Sequence, residues 1–324
     1  VGNPNFAAAL MGIFAVILLG FAINKDTSGF NRVISAGSVL LLLLTIYFSD
    51  SLQGFLAAAV GFGVLIVTWL FQRNRIAGWS IAGVGFVGGL MSIFGILQMG
   101  PFSFLFKESV TYRGDYWRAG WKMTVEHPFF GVGLDSYGDW YRRTRTLEAT
   151  LRNGPEVTSN AAHNVLLDFS ANGGFPLVLI YLALMVLVAT SAIKLLKRSS
   201  VFDPRVAGLI AVWIGYQAQS IISLNQLGLA VWGWIISGLI IGYEINTREV
   251  EVAQKQGPKG KSASAMATQK VLPATAVGIF VGLLVGLALG VPTLNTATKY
   301  KTGLESGDAN TVQKIASIWP QDAS

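Results

Sequence analysis

The chain contains no cysteine and little charge: only 13% of its 324 residues are Asp, Glu, Lys or Arg, about half the usual share of a soluble domain. Without cysteine there can be no disulfide, no thiolate metal ligand and no cysteine nucleophile. So little charge beside 52% apolar residues and a mean hydropathy of +0.53 excludes a soluble globular enzyme and a disordered chain. Acidic and histidine metal motifs are missing as well. There is no Asp-x-Asp pair, no His-Glu-x-x-His and no His/Cys cluster, and only two histidines occur in all. Hence neither a metal nor any other cofactor is expected. Gly131-Val132-Gly133 lacks a third glycine and a strand–helix setting, so it reads as a turn rather than a nucleotide fingerprint. Few ionisable groups fall inside the apolar stretches. Asp168 and Glu244 both lie near ends, whereas an ion-coupled transporter places such groups near the midplane.

Eight apolar stretches, near 5–23, 31–48, 52–70, 77–99, 165–193, 206–224, 229–246 and 271–291, are each long enough to cross a bilayer. The expected fold is an all-α polytopic transmembrane bundle of about eight spans, with a large external loop between spans four and five. The net charge of +7 and the pI near 9.6 are explained by topology, so no nucleic-acid partner is expected. Lys25, Arg32, Arg73, Arg75, Lys194, Lys197, Arg198, Arg205, Arg248, Lys255, Lys259, Lys261 and Lys270 make 13 of the 24 cations, all in connections on one side. The short connections opposite them, 49–51 and 224–228, hold none. By the positive-inside rule the first side is cytoplasmic and both ends of the chain are external. The expected organisation is spans one to four in 1–99, an external loop in 100–164 and spans five to seven in 165–246. A flexible cytoplasmic linker follows in 247–270, then span eight in 271–291 and the start of an external helical domain in 292–324. One partial unit there is too little to establish a repeat. Because the chain opens on Val1 without a signal peptide, we expect a fragment of a longer membrane protein.

The loop 100–164 carries eight cations, seven anions and both histidines. Loops of this length escape the charge rule, so its cations leave the orientation unchanged. Nine aromatics lie between Tyr112 and Tyr141, interleaved with Arg113, Arg118, Arg142 and Arg143. Aromatic faces stack on sugar rings and guanidinium forks hold phosphate oxygens in pairs. The same composition also suits an interfacial aromatic belt with surface arginines, the commoner case in membrane proteins. His163, in Ala162-His163-Asn164, stands where the chain re-enters the membrane. A helix beginning there offers free N–H groups to an anion, and an imidazole suits general-base work at neutral pH. The alternative is a histidine at headgroup level with no chemical role. His127, between Glu126 and Pro128, reads as part of a turn.

The run Arg113-x3-Trp117, His127-Pro128-x2-Gly131-Val132-Gly133-x2-Ser136-Tyr137, then Ala162-His163-Asn164 and Gly173-Gly174-Phe175-Pro176-Leu177, resembles the O-antigen ligase/polymerase family. Gly2-Asn3-Pro4-Asn5-Phe6 is similar to the family's segment ahead of a span. Each motif alone is weak, but the ordered set is fairly specific. The resemblance implies a metal-independent, inverting glycosyl transfer on the outer face of a bacterial cytoplasmic membrane. The donor would be a polyprenyl-diphosphate-linked glycan, and the acceptor a hydroxyl on a glycan, lipid or protein. In that chemistry His163 would take the proton of the attacking hydroxyl and Arg113 would stabilise the departing diphosphate. Trp117, Trp121 and Asn164, with Arg118 as a helper, are the expected substrate contacts. The family commonly has Ser-Arg-Gly at the outer start of a span ahead of the loop. Here the matching stretch is Ser51-Leu52-Gln53-Gly54. Gln53 can donate a hydrogen bond but brings no charge, which bears on the reaction rather than on the fold. The competing functions are a transporter or flippase of a lipid-linked glycan, for which Gln217, Gln219, Asn225 and Gln226 are the polar cluster, and a non-catalytic assembly protein.

Overall fold

The computed structural model describes residues 3–101, 108–198 and 201–255, with scattered positions between 277 and 305. Every extended element among them is helical: α1 (Pro4–Ile23), α2 (Gly29–Phe48), α3 (Leu52–Arg73), α4 (Arg75–Ile96), α5 (Glu108–Glu126), α6 (Tyr137–Thr144), α7 (Leu147–Asn153), α8 (Val165–Arg198), α9 (Pro204–Ser220) and α10 (Leu227–Lys255). The protein is therefore an all-helical polytopic membrane bundle. Helices of 20–22 residues are about 30 Å long, the thickness of the hydrocarbon core.

The boundaries follow from capping chemistry. Asn3 accepts from the Asn5 N–H, with Pro4 at the first helical position of α1. Ser28 caps α2, and Asp203 with Pro204 opens α9. Asn74 alone separates α3 from α4. It accepts from the N–H groups of Ile76 and Ala77, so one residue turns the chain back on itself. Gln226 does the same for α10 through the Leu229 N–H.

Among the described residues, six helices are long and apolar enough to cross a membrane. The stretch expected at 206–224 is α9, which ends at Ser220 with 17 residues. It stops early because Ser220–Ser223 form a turn that meets the start of α3, where the Ser223 hydroxyl donates to Gln53. What α9 lacks in length it has in burial, since it packs against α1 and α3 at the centre of the bundle. Small residues let these helices touch backbone to backbone. A Cβ on Gly12 would lie 2.5 Å from the Gly54 carbonyl oxygen, and one on Gly215 would lie 2.7 Å from that of Ala57. At the far end of α8 and α10, Arg198 donates to the buried Glu244 carboxylate at 2.7 Å and also reaches Thr247. α10 continues helically past 246, where the linker was expected to begin, as far as Lys255.

Residues Gln256–Ser324 form a second compact unit. Each of its described positions is helical, and Val277, Phe280, Leu284 and Leu287 present exposed apolar side chains. Most of the expected linker, and much of span eight and of the tail after it, lie outside the described residues.

Candidate functional site

The part of the connection from Glu108 to α8 is folded. α5, α6 and α7 pack together at the end of the bundle where α4 stops, and Gly114 of α5 sits directly on the Ile96 carbonyl. One face of α5 carries Arg113, Tyr116 and Trp117, at the i, i+3 and i+4 positions that share a helical stripe. On the adjoining face, buried Asp115 is held by Arg118 at 3.1 Å, Arg152 of α7 at 3.2 Å and the Asn153 amide at 3.4 Å. This fastens α7 to α5. Tyr137 and Tyr141 of α6 are fully buried against α5. The Tyr137 hydroxyl donates to the Tyr116 carbonyl at 2.7 Å, and the Tyr141 ring meets Tyr116 edge-on at 5.4 Å. Burial raises both phenols, Tyr141 to about 12 and Tyr137 well above its ordinary value, so both are neutral.

A second junction joins the turn after α5 to a break in α8. Gly174 interrupts α8 with φ of +68°, two residues before Pro176. A Cβ there would lie 2.6 Å from the Pro128 carbonyl oxygen. Gly131, at φ +63°, would in turn place a Cβ 2.4 Å from the Ala171 oxygen. The Val132 N–H donates to the Ala171 carbonyl and the Phe175 N–H to the Pro128 carbonyl, each at 2.8 Å. Asn172 completes the joint. Its Oδ1 accepts from the N–H groups of Ser136 and Tyr137 at 3.1 Å, and its amide donates to the Asp168 carbonyl at 2.9 Å.

His163 lies just ahead of α8, in the left-handed region at φ +52°. For a residue other than glycine this conformation costs about 1–3 kcal/mol and needs its surroundings to enforce it. Each neighbour along the chain is tied down. The Ala162 N–H donates to the Asp168 carboxylate, the Trp117 indole N–H reaches the His163 carbonyl at 3.4 Å, and the Asn164 Oδ1 caps α8 through the Leu167 N–H at 3.1 Å. The imidazole stacks on Tyr116 with ring centroids 5.4 Å apart. Burial, then the positive charge of Arg113, hold it down at about 4, so it is neutral at physiological pH with a lone pair to accept a proton. Burial also works against the charge on Arg113, though less than enough to remove it.

The fold thus gathers Arg113, Trp117 and His163 from the sequence candidates and adds Tyr116, Asp168, Asn172 and Tyr137. Tyr116 had a sequence signal in its spacing from Arg113; Asn172 had none. Asn164 spends its side-chain oxygen on the α8 cap. Arg118 is engaged by Asp115 and the Leu97 carbonyl. Trp121 stands exposed, with Phe175 beside it at 6.5 Å, and Gln53 is buried against Ser223. His127 packs edge-on against Trp140 at 4.7 Å. A cavity of about 1140 Å³, lined by Trp69, Arg73 and Arg205 among others, opens at the opposite end of α3 and includes none of these residues.

No curated protein and no solved structure matches the chain significantly. A family model described as O-antigen ligase matches residues 37–182, from within α2 to the second half of α8, and so takes in α5–α7, His163 and the Gly174 joint. Over those residues, just under half of its length, the chain is similar to the O-antigen ligase family, a family of glycan ligases and polymerases.

Proposed function

We propose that this protein joins a polyprenyl-diphosphate-linked glycan to a hydroxyl of a glycan, lipid or protein acceptor. The reaction takes place on the outer face of the cytoplasmic membrane, with inversion and without a metal. The observation that carries the reading is a half-buried neutral imidazole, fixed in a strained backbone conformation and within the field of a half-buried arginine. The acceptor hydroxyl gives its proton to His163 as its oxygen bonds to the anomeric carbon. The bond from that carbon to the diphosphate breaks, and the charge that leaves with the diphosphate meets Arg113. The two side chains act against each other until the donor arrives. With the site empty, Arg113 lowers the basicity of His163. A bound diphosphate neutralises that charge and lets the imidazole recover proton affinity, so the base is strongest when the donor is in place.

The orientation rests on the cations gathered at the other ends of the spans. The transport alternative leaned on Gln217, Gln219, Asn225 and Gln226; of these, Gln217 is engaged between helices, accepting from Tyr181 at 3.2 Å and approaching the Met185 sulfur at 3.2 Å, and Gln226 accepts from the Leu229 N–H.

The test mixes purified protein, a lipid-diphosphate-linked glycan and an acceptor, and reads formation of the larger glycoconjugate. His163→Ala should lose about 10²–10⁴ in rate. Arg113→Lys should also fail, because Lys lacks the planar fork. His127→Ala should stay close to wild type, and EDTA should leave turnover intact. Product formed by His163→Ala at the wild-type rate would overturn the assignment.

A further inference from the structure

The turn between α5 and α6 reads Pro128-Phe129-Phe130-Gly131-Val132-Gly133-Leu134, seven residues without a charged or polar side chain. Its large side chains point away from the protein: Phe129, Phe130 and Leu134 are 71%, 87% and 75% exposed. In water such a patch would be a liability, and its position on the fold says what covers it. The Phe175 N–H bond to Pro128 and the Val132 N–H bond to Ala171 set the turn level with the Gly174 break. Beyond that break α8 continues as an apolar membrane-crossing helix. Phe175, Leu179 and Leu182 follow at one- and two-turn spacing and are exposed too, so the apolar surface runs without interruption from the turn onto the face of α8. Trp121, exposed on α5, stands edge-on to Phe175 at this level, a setting favoured by an indole at a membrane–water interface.

We infer that the turn inserts Phe129, Phe130 and Leu134 into the hydrocarbon edge of the bilayer, its partner being lipid acyl chains, with Trp121 at headgroup level. The insertion holds α5 and α6 down on the membrane surface from the side opposite their attachment to α4.

Because the chain has no cysteine of its own, single nitroxide labels can be placed cleanly at Phe130→Cys, Leu134→Cys and, as an aqueous control, at the exposed Glu148→Cys of α7. The full chain is reconstituted in phosphatidylethanolamine/phosphatidylglycerol vesicles, and power saturation compares collisions with oxygen and with a water-soluble nickel chelate. At 130 and 134 oxygen should win severalfold; at 148 the nickel chelate should win. Nickel preference at 130 and 134 would place the turn in water and overturn the inference. Low accessibility to both probes would mean that protein covers the patch, a second copy or a partner, and would overturn it equally.

Discussion

Gly131→Ala tests whether the α5–α6 turn is truly seated on the α8 break. Two costs add. Alanine at φ +63° loses roughly 1–2 kcal/mol for a left-handed conformation. Its methyl group would lie 2.4 Å from the Ala171 oxygen, 2.4 Å from the Asn172 carbonyl carbon and 2.5 Å from the Gly173 nitrogen. All three are backbone atoms of α8, so no side chain can swing aside, and overpacking of this kind costs roughly 1–3 kcal/mol. The total, about 2–5 kcal/mol, is relieved if the turn backs away from α8. That breaks the bonds from Val132 to Ala171 and from Ser136 and Tyr137 to Asn172. The signature is local: hydrogen exchange of amides 132–144 should accelerate about 30-fold or more, since each 1.4 kcal/mol is about tenfold. Amides of α10 should keep their protection. Glycan transfer should fall in parallel, because α6 supports Tyr116 through Tyr137. Gly83→Ala is the control: a Cβ there meets nothing within 4 Å, and in a helix alanine is favoured by about 1 kcal/mol. Unchanged exchange in Gly131→Ala would refute the joint, and with it the account of how α6 reaches the site.

The pH profile should report the two causes acting on His163. Its pKa of about 4 lies below the ordinary 6.5, so the base stays unprotonated as pH falls from 7 to 5 and kcat/KM should be flat there, declining only nearer 4. Arg113→Gln removes the Coulombic cause and leaves burial, so the acid limb of its residual activity should move upward, toward 6.5. A limb that stays put or moves down would separate Arg113 from His163. Asp168→Ala strands the buried Ala162 N–H, which costs about 1–3 kcal/mol. It should lower the thermal unfolding midpoint and reduce kcat more than it raises KM; unchanged kcat would show that Asp168 has no part in fixing His163.

Six of the expected spans were legible because apolar runs and caps such as Asn3-Pro4 and Asn74 act within a few residues of one another. Where the reading stopped short, the determinant was distant in sequence. α9 ends at Ser220 because Ser223 meets Gln53, 170 residues away. α5 has too few apolar residues to read as a span, and the close approach of Gly114 to Ile96 seats it on the end of α4. The candidate site divides the same way. Arg113, Trp117 and His163 stand out as residue types in suggestive places. By contrast, Asn164 and Arg118, expected at the substrate, spend their polar atoms on partners three residues away, the Leu167 N–H and the Asp115 carboxylate. What lay beyond the local sequence was Arg152, which reaches Asp115 from 37 residues away.

The two glycine motifs, 131–133 and 173–174, look independent along the chain but are the two halves of one contact, each leaving room for the other's backbone. This gives their order a physical meaning. The break in α8 fixes where the turn rests, and the stretch from His163 to Gly174 fixes how far the imidazole stands from that level. Ten helical residues rise at most about 15 Å, and any tilt of the short segment before the break brings the imidazole lower. The polar headgroup layer on each side of a bilayer is roughly 5–8 Å deep. An imidazole held within or just above that layer can meet a diphosphate whose lipid tail never leaves the hydrocarbon. On the proposed reaction, the first segment of α8 would act as a spacer that sets the height of the imidazole above the turn.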